Sequence, residues 1–172
     1  PVFWMGEELE RPHAQANLKG ATTPIGFVHV PSIHSDAPIA FEGLGVVYCQ
    51  GLPVTVQGFT QHYHGDKKQH TIVHVDHLVY TPRMPDRDSL IDSEKAAKDF
   101  YAVLKGLWRE HILAKKAEMS AVDFVETYWD AAKQADFLSV MGDVPVLPKR
   151  MVQYVAETPA MLRDGDCYMY RY

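Results

Sequence analysis

Histidine is the residue type in this chain whose number and spacing point most clearly to chemistry. Eight of the nine histidines lie in the first half of the 172-residue sequence, and five of them fall between residues 62 and 77. The spacing of these five is His62-x-His64-x5-His70-x3-His74-x2-His77. Imidazole binds zinc, nickel, copper and iron, and it titrates close to neutral pH. The cluster is therefore the first candidate for a functional site.

Strand parity determines whether these imidazoles converge. Residues 54–64 and 71–80 have the alternation of strands and are joined by a short polar loop, which predicts an antiparallel hairpin. Side chains alternate between the two faces of a strand, and directly paired residues share a face. In an even register one face carries four histidines and one aspartate: His62, His64, His70, His74 and Asp76. Neighbouring Cβ atoms would lie about 5 to 7 Å apart, which suits a single ion.

These five residues are the predicted metal ligands, and zinc or another divalent transition metal is the predicted cofactor. His62, His64 and His74 would bind the ion, and His70 or Asp76 would complete or orient the site. An open coordination position would bring the pKa of a bound water near 7, as in a metal-dependent hydrolase. Two alternatives stay open. The histidines form the solvated face of an antiparallel sheet, or they charge together between about pH 5 and 7 as a switch.

The tripeptide His62-Tyr63-His64 resembles the His-hydrophobic-His motif of the rolling-circle replication and relaxase nucleases. The resemblance implies two histidines that hold a divalent ion and a helical tyrosine that attacks a DNA phosphate. Tyr101 and Tyr128 are the tyrosines in predicted helices that match this role. The resemblance covers only three residues, and the acidic balance of this chain departs from the basic groove of that family.

Charge and composition restrict the classes of partner. The chain has 22 acidic and 17 basic residues, a formal net charge of −5, and no run of more than two Lys or Arg. A protein that binds phosphates needs a basic face, so nucleic acid is not the expected partner. No stretch of 18 apolar residues and no signal peptide is visible, which predicts no membrane contact. The two cysteines form no CxxC pair and favour a reducing cytoplasm.

The order of patterns predicts the α+β class, because strands come first and helices follow. We expect a single domain over residues 1–172, mainly β over 1–80, with a linker over 81–92 and a mainly α region over 93–166. Helices should begin near Ser93, Ser120 and Pro148, and Cys167–Tyr172 should form a terminal strand. The expected fold is a small antiparallel meander packed against two or three helices, with the terminal strand as a further member of the sheet.

Two classes of function follow from these patterns. The first is a non-catalytic interaction or accessory protein that binds a protein partner, forms a homo-oligomer, or is a subunit of a larger assembly. The chain has no complete catalytic motif, and its aromatic terminal strand is suited to adding to the sheet of a partner. The alternative is a metal-binding protein or metal-dependent hydrolase built on the histidine cluster. Whether the protein is an enzyme is left open by the sequence.

Overall fold

The computed structural model describes residues 3–8, 11–34, 41, 45–60, 70–148, 161–164 and 167–170. Two α-helices lie in this part of the chain: α1, Ser93–Glu118, and α2, Ala121–Gln134. Its strands are β1 (Phe3–Trp4), β2 (Glu7–Glu8), β3 (Ala21–Thr23), β4 (Gly26–His29), β5 (Gly45–Cys49), β6 (Leu52–Val54), β7 (Thr71–Val75), β8 (Val146–Pro148), β9 (Met161–Asp164) and β10 (Cys167–Tyr170). This part of the chain is of the α+β class, with a mixed five-stranded sheet and two α-helices.

The chain divides into two compact units. One comprises Pro1–His34 and Glu42–Tyr101, and the other comprises Ser35–Phe41 and Ala102–Tyr172. The five-stranded sheet and the first turns of α1 belong to the first unit. The rest of α1, all of α2 and a three-stranded sheet of order β8-β10-β9 belong to the second. Neither helix in the described part of the chain combines the length and apolar character needed to cross a bilayer.

The five-stranded sheet has the order β3-β4-β7-β5-β6, with β7 at its centre. Strand β7 is antiparallel to β4 and parallel to β5. Val28, Val47 and Val73 pair across these three strands and are 0–1% exposed, so they form the core face. The sheet is mostly antiparallel, but the parallel pair means that the predicted meander is wrong. The predicted partner of β7 was the segment 54–64, but β7 pairs with β4 and β5 instead.

The predicted strands over 54–64 and 71–80 differ from the observed ones, and residues 61–64 lie outside the described residues. Strand β6 ends at Val54, and the chain turns around Gly58, whose φ of 82° is left-handed. Strand β7 ends at Val75 because Asp76 Oδ1 accepts a hydrogen bond from the amide of Leu78 at 2.9 Å, which starts a turn. Val79, which lies within the predicted strand 71–80 but beyond the end of β7, is 54% exposed.

Aromatic rings join the sheet unit to the first turns of α1. The ring of Phe100 meets Phe59 edge to face at 5.2 Å and Tyr80 at 5.4 Å, and all three side chains are buried. Within residues 81–92, predicted as a linker, Pro82 pairs with Leu90, which is also buried. Edge-to-face aromatic pairs add about 0.5–1.5 kcal/mol beyond the area they bury, so this cluster fixes the start of α1 on its unit.

Both helices bury apolar side chains that recur at helical spacing. Along α1 the residues at helical spacing, Phe100, Leu104, Trp108 and Ile112, are fully buried. Helix α2 begins as its capping box predicts, because the side chain of Ser120 accepts from the amide of Asp123 at 3.2 Å.

Two expectations concern the C-terminal part of the chain. Pro148 is the last residue of strand β8, and the third helix expected to begin near it would lie in residues 149–160, outside the described residues. The terminal strand β10 forms, yet it pairs with β8 and β9 in the separate three-stranded sheet and does not join the five-stranded one.

Candidate functional site

One row of side chains crosses the whole five-stranded sheet on the face opposite the valine core. It consists of Thr22, Phe27, His74, Tyr48 and Pro53, on β3, β4, β7, β5 and β6. The adjacent row on the same face pairs His29 with Ile72. We call this side of the sheet the histidine face. Its position follows directly from strand alternation, since Val28 and Val73 point the other way.

The centre of the histidine face is a contact among His74, Tyr48 and His13. The rings of Tyr48 and His74 stack with centroids 5.1 Å apart and an angle of 18° between their planes. The Tyr48 hydroxyl hydrogen-bonds to Nδ1 of His13 at 2.8 Å. His74 Nε2 donates to the carbonyl oxygen of His13 at 2.8 Å, which fixes the proton of neutral His74 on Nε2. These contacts therefore join three residues that lie far apart in the sequence.

His13 belongs to a segment, residues 11–20, which we call the strap because side chains of the sheet hold it at both of its ends. Besides the two bonds of His13, the carbonyl oxygen of Lys19 accepts from Nδ1 of His29. Gly20 lies against the ring of Phe27, since a Cβ there would be 2.6 Å from Phe27 Cζ. The imidazoles of the histidine face thus have a structural task, which is to satisfy the backbone of the strap.

Three basic side chains lie at the C-terminal end of β4, on the same face. His29 and His34 stack with ring centroids 6.0 Å apart and planes inclined by 12°. Burial lowers the pKa of His34, and the charges of His29 and Lys19 lower it further. Lys19 is exposed, and its side chain has no ion-pair partner within the described residues. We call Lys19, His29 and His34 the basic corner.

The pKa of His13 is lowered by groups from the basic corner and from the rest of the histidine face. Burial lowers it most, followed by the charges of His70, His74 and His29. Like charges act on one another in this way only over short distances. The structure thus gathers five histidines at the strap and the sheet beneath it: His13, His29, His34, His70 and His74.

The histidine face stands in a region poor in acidic residues. Residues 11–75 contain only 3 of the 22 acidic side chains of the chain, with 4 Lys or Arg and seven histidines. All three acids, Asp36, Glu42 and Asp66, lie outside the described residues. This region has a formal charge of 4 − 3 = +1 in a chain of −5, so it is less acidic than the rest of the sequence.

The predicted metal ligands are only partly brought together. His62 and His64 lie outside the described residues. His70 and His74 both act electrostatically on His13, but Asp76 lies beyond the end of β7, where its carboxylate accepts from the Leu78 amide and sits 4.0 Å from His77. Within the described ranges, no group of three or more His, Cys, Asp or Glu side chains is arranged to hold a metal ion.

Other candidate residues have structural partners. The Tyr101 hydroxyl donates to the carbonyl oxygen of Gly58 at 2.9 Å. Tyr128 is buried, with its hydroxyl 3.1 Å from Nε2 of His111, and burial raises its pKa. Cys49 is a buried free thiol whose pKa is also raised by burial, which keeps it protonated and unreactive at neutral pH.

A cleft of about 760 Å³ lies at the start of α1 in the same unit. Its charged lining is mixed, because Arg83, Lys95 and Lys98 are matched by Asp92, Glu94 and Asp99. Lys95 and Asp99 pair with each other at 2.6 Å. The Ser93 hydroxyl, which also lines the cleft, accepts from the amide of Gln57 at 2.9 Å. The cleft is polar and internally compensated, in contrast to the histidine face.

Sequence reasoning missed His13, His29 and His34 as members of the site. They lie far from residues 62–77 along the chain and come together only through the pairing of β4 with β7 and the docking of the strap. One signal was visible in the sequence, since residues 11–34 contain no acidic residue and three histidines.

No protein-family model matches this chain, and comparisons with curated proteins and with solved structures likewise find no match. The argument about function therefore depends on the geometry and charge of the described residues.

Proposed function

We propose that the protein is a non-catalytic interaction protein that binds a protein partner through the histidine face and the strap. The observation that supports this most is the concentration of five imidazoles and a lysine on strands and a strap without an acidic residue. The valine face already supplies the core of the sheet, so the core itself does not require this concentration of imidazoles. Aromatic and imidazole side chains combine apolar contact with hydrogen bonding, which suits a protein interface.

The surface is half-buried rather than fully exposed, and this supports binding over catalysis. Phe27, Tyr48 and His74 are half-buried, and the polar atoms of Tyr48 and His74 are used to hold the strap. A general base needs a free nitrogen directed at a substrate. His74 Nε2 and His13 Nδ1 instead serve internal hydrogen bonds, so the arrangement builds a shaped surface.

The proposal is tested by the size of the native protein in an extract of cells that express it, measured by size-exclusion chromatography under native conditions. We expect elution as a complex larger than the 172-residue chain. Lys19→Glu should release the free chain, because it reverses the exposed charge of the basic corner. The matched control is Lys133→Glu on the exposed face of α2, which should leave the complex intact. Elution of the wild type as a free chain, or equal effects of both variants, would refute the proposal.

Metal binding is the second candidate, and the shared effect of His70 and His74 on His13 favours it. Imidazole nitrogens are common ligands of transition-metal ions in proteins. Elemental analysis of untagged protein purified without chelator decides it. About one equivalent of zinc per chain, lost in His74→Ala and kept in His111→Ala, would support a metal site. A metal-free protein that takes up no zinc near pH 7.5 would exclude it.

A further inference from the structure

The strand β3 forms one edge of the five-stranded sheet, next to the basic corner. Among the described residues its backbone pairs only with β4, through Ala21, Thr22 and Thr23. The strap ends at Gly20 and β3 begins at Ala21, so Lys19 lies two residues before the edge strand. An edge strand offers unpaired N–H and C=O groups to an extended segment of another chain.

The side chains beside this edge select for negative charge. Lys19 carries a permanent charge, and the imidazoles of His29 and His34 stack near it on the neighbouring strand and the following turn. The described residues of β3, β4, β5, β7 and the strap contain no Asp or Glu that would repel an acidic ligand. The ammonium group of Lys19 donates charge-assisted hydrogen bonds to carboxylates, and an imidazole N–H is also a hydrogen-bond donor.

We propose that the β3 edge and the basic corner bind an extended, carboxylate-rich segment of a protein partner by strand addition. Backbone hydrogen bonds to β3 would hold the segment, and Asp or Glu side chains of one parity would reach Lys19, His29 and His34. This inference rests on the proposed interaction function and specifies its partner. Polyphosphate is the less suitable ligand, because the described residues from 11 to 75 supply only two permanent cations, Arg11 and Lys19.

The test uses the full chain and a synthetic peptide of ten alternating Glu and Thr residues, acetylated, amidated and labelled with a fluorophore. Fluorescence anisotropy at pH 6.5 and low salt measures the affinity. We expect saturable binding that weakens as salt is added, since the contacts are partly ionic. A peptide of alternating Lys and Thr should not bind. The same acidic peptide, N-methylated at alternate residues on its pairing edge, should lose binding because it cannot donate the backbone hydrogen bonds of strand addition.

Two variants of the protein localise the site. Lys19→Met should weaken binding of the acidic peptide about fivefold, the effect of losing one partly exposed ion pair. Lys98→Met removes an exposed lysine of α1 and should change the affinity less than twofold. Equal effects of the two variants, unchanged binding of the N-methylated peptide, or tighter binding of a ten-nucleotide single-stranded DNA would each overturn the inference. If the native complex persists and still depends on Lys19 while the peptide fails to bind, this inference fails and the proposed function stands.

Discussion

The imidazole of His74 stacks on the phenol of Tyr48 across the parallel pair of β5 and β7, with ring centroids 5.1 Å apart. Both side chains also hydrogen-bond to His13. Nε2 of His74 donates to the carbonyl oxygen of His13, and the Tyr48 hydroxyl bonds to the ring nitrogen Nδ1 of His13. The contact therefore links the centre of the sheet to the strap. Changes at this contact should be visible in the strap before they affect the valine core.

Removing the Tyr48 hydroxyl should loosen the strap. Tyr48→Phe keeps the ring stack but deletes the hydrogen bond to His13, which costs about 1 kcal/mol. We expect faster amide hydrogen exchange over residues 13–18 and unchanged exchange in β7. Tyr101→Phe is the matched control, because it deletes the bond to Gly58 and leaves the strap untouched. Equal exchange of the strap in both variants would contradict the assigned role of Tyr48.

Gly20 should not tolerate a side chain. A Cβ at this position would overlap the carbonyl oxygen of Val28 and lie 2.6 Å from Cζ of Phe27, so Gly20→Ala should destabilise the protein by about 1–3 kcal/mol. Gly106→Ala in α1 is the opposite case, because nothing lies within 4 Å of its Cβ. It should stabilise the protein by about 0.5–1 kcal/mol. Urea unfolding measures both, and a stable Gly20→Ala variant would show that the strap is packed differently.

Acid should open the strap and the turn that carries His34. The pKa values of His13 and His34 are lowered in the folded protein, mainly by burial, so folding favours their neutral forms. Their contribution to stability is present above the unfolded pKa of 6.5 and falls as pH drops through it towards the lower folded pKa. Hydrogen exchange over residues 11–20 and 31–34, corrected for intrinsic rate, should therefore lose protection between pH 7.5 and 5.5.

The His34→Gln variant separates the two histidines in this experiment. It should remove the pH dependence of residues 31–34 and leave that of the strap in place, because burial and the charges of His70, His74 and His29 still lower the pKa of His13. Protection that rises on acidification in the wild type would contradict the directions of both pKa shifts.

The helices were predictable from sequence because their signals are local. The apolar stripe of α1 and the capping box at Ser120 can each be recognised from residues within one or two helical turns of each other. Both are found in the structure. The sheet was less predictable, since its central strand β7 pairs with β4, more than 40 residues earlier, and with β5 in parallel. Such pairings depend on long-range packing that alternation within a strand does not encode.

The sequence indicated that histidines form the candidate site, but it did not indicate which histidines come together. The concentration of histidines pointed to His70 and His74, which lie in the cluster that the structure describes. The assumed hairpin, however, gave the wrong neighbours for β7. Asp76 lies in a turn after β7, and its carboxylate stabilises that turn by accepting a hydrogen bond from the amide of Leu78. His13, His29 and His34 joined the site through tertiary contacts that no spacing rule reveals.

Hydrogen-exchange mass spectrometry of the purified native complex, compared with the free chain, tests the binding role of the histidine face most directly. The account predicts added protection over residues 11–34, 45–49 and 70–75, which carry the strap, the β3 edge and the histidine face. Helix α2 should exchange equally in both samples, because its apolar side is already buried within its own unit. Added protection on α2 with none on the strap or β3 would contradict the account.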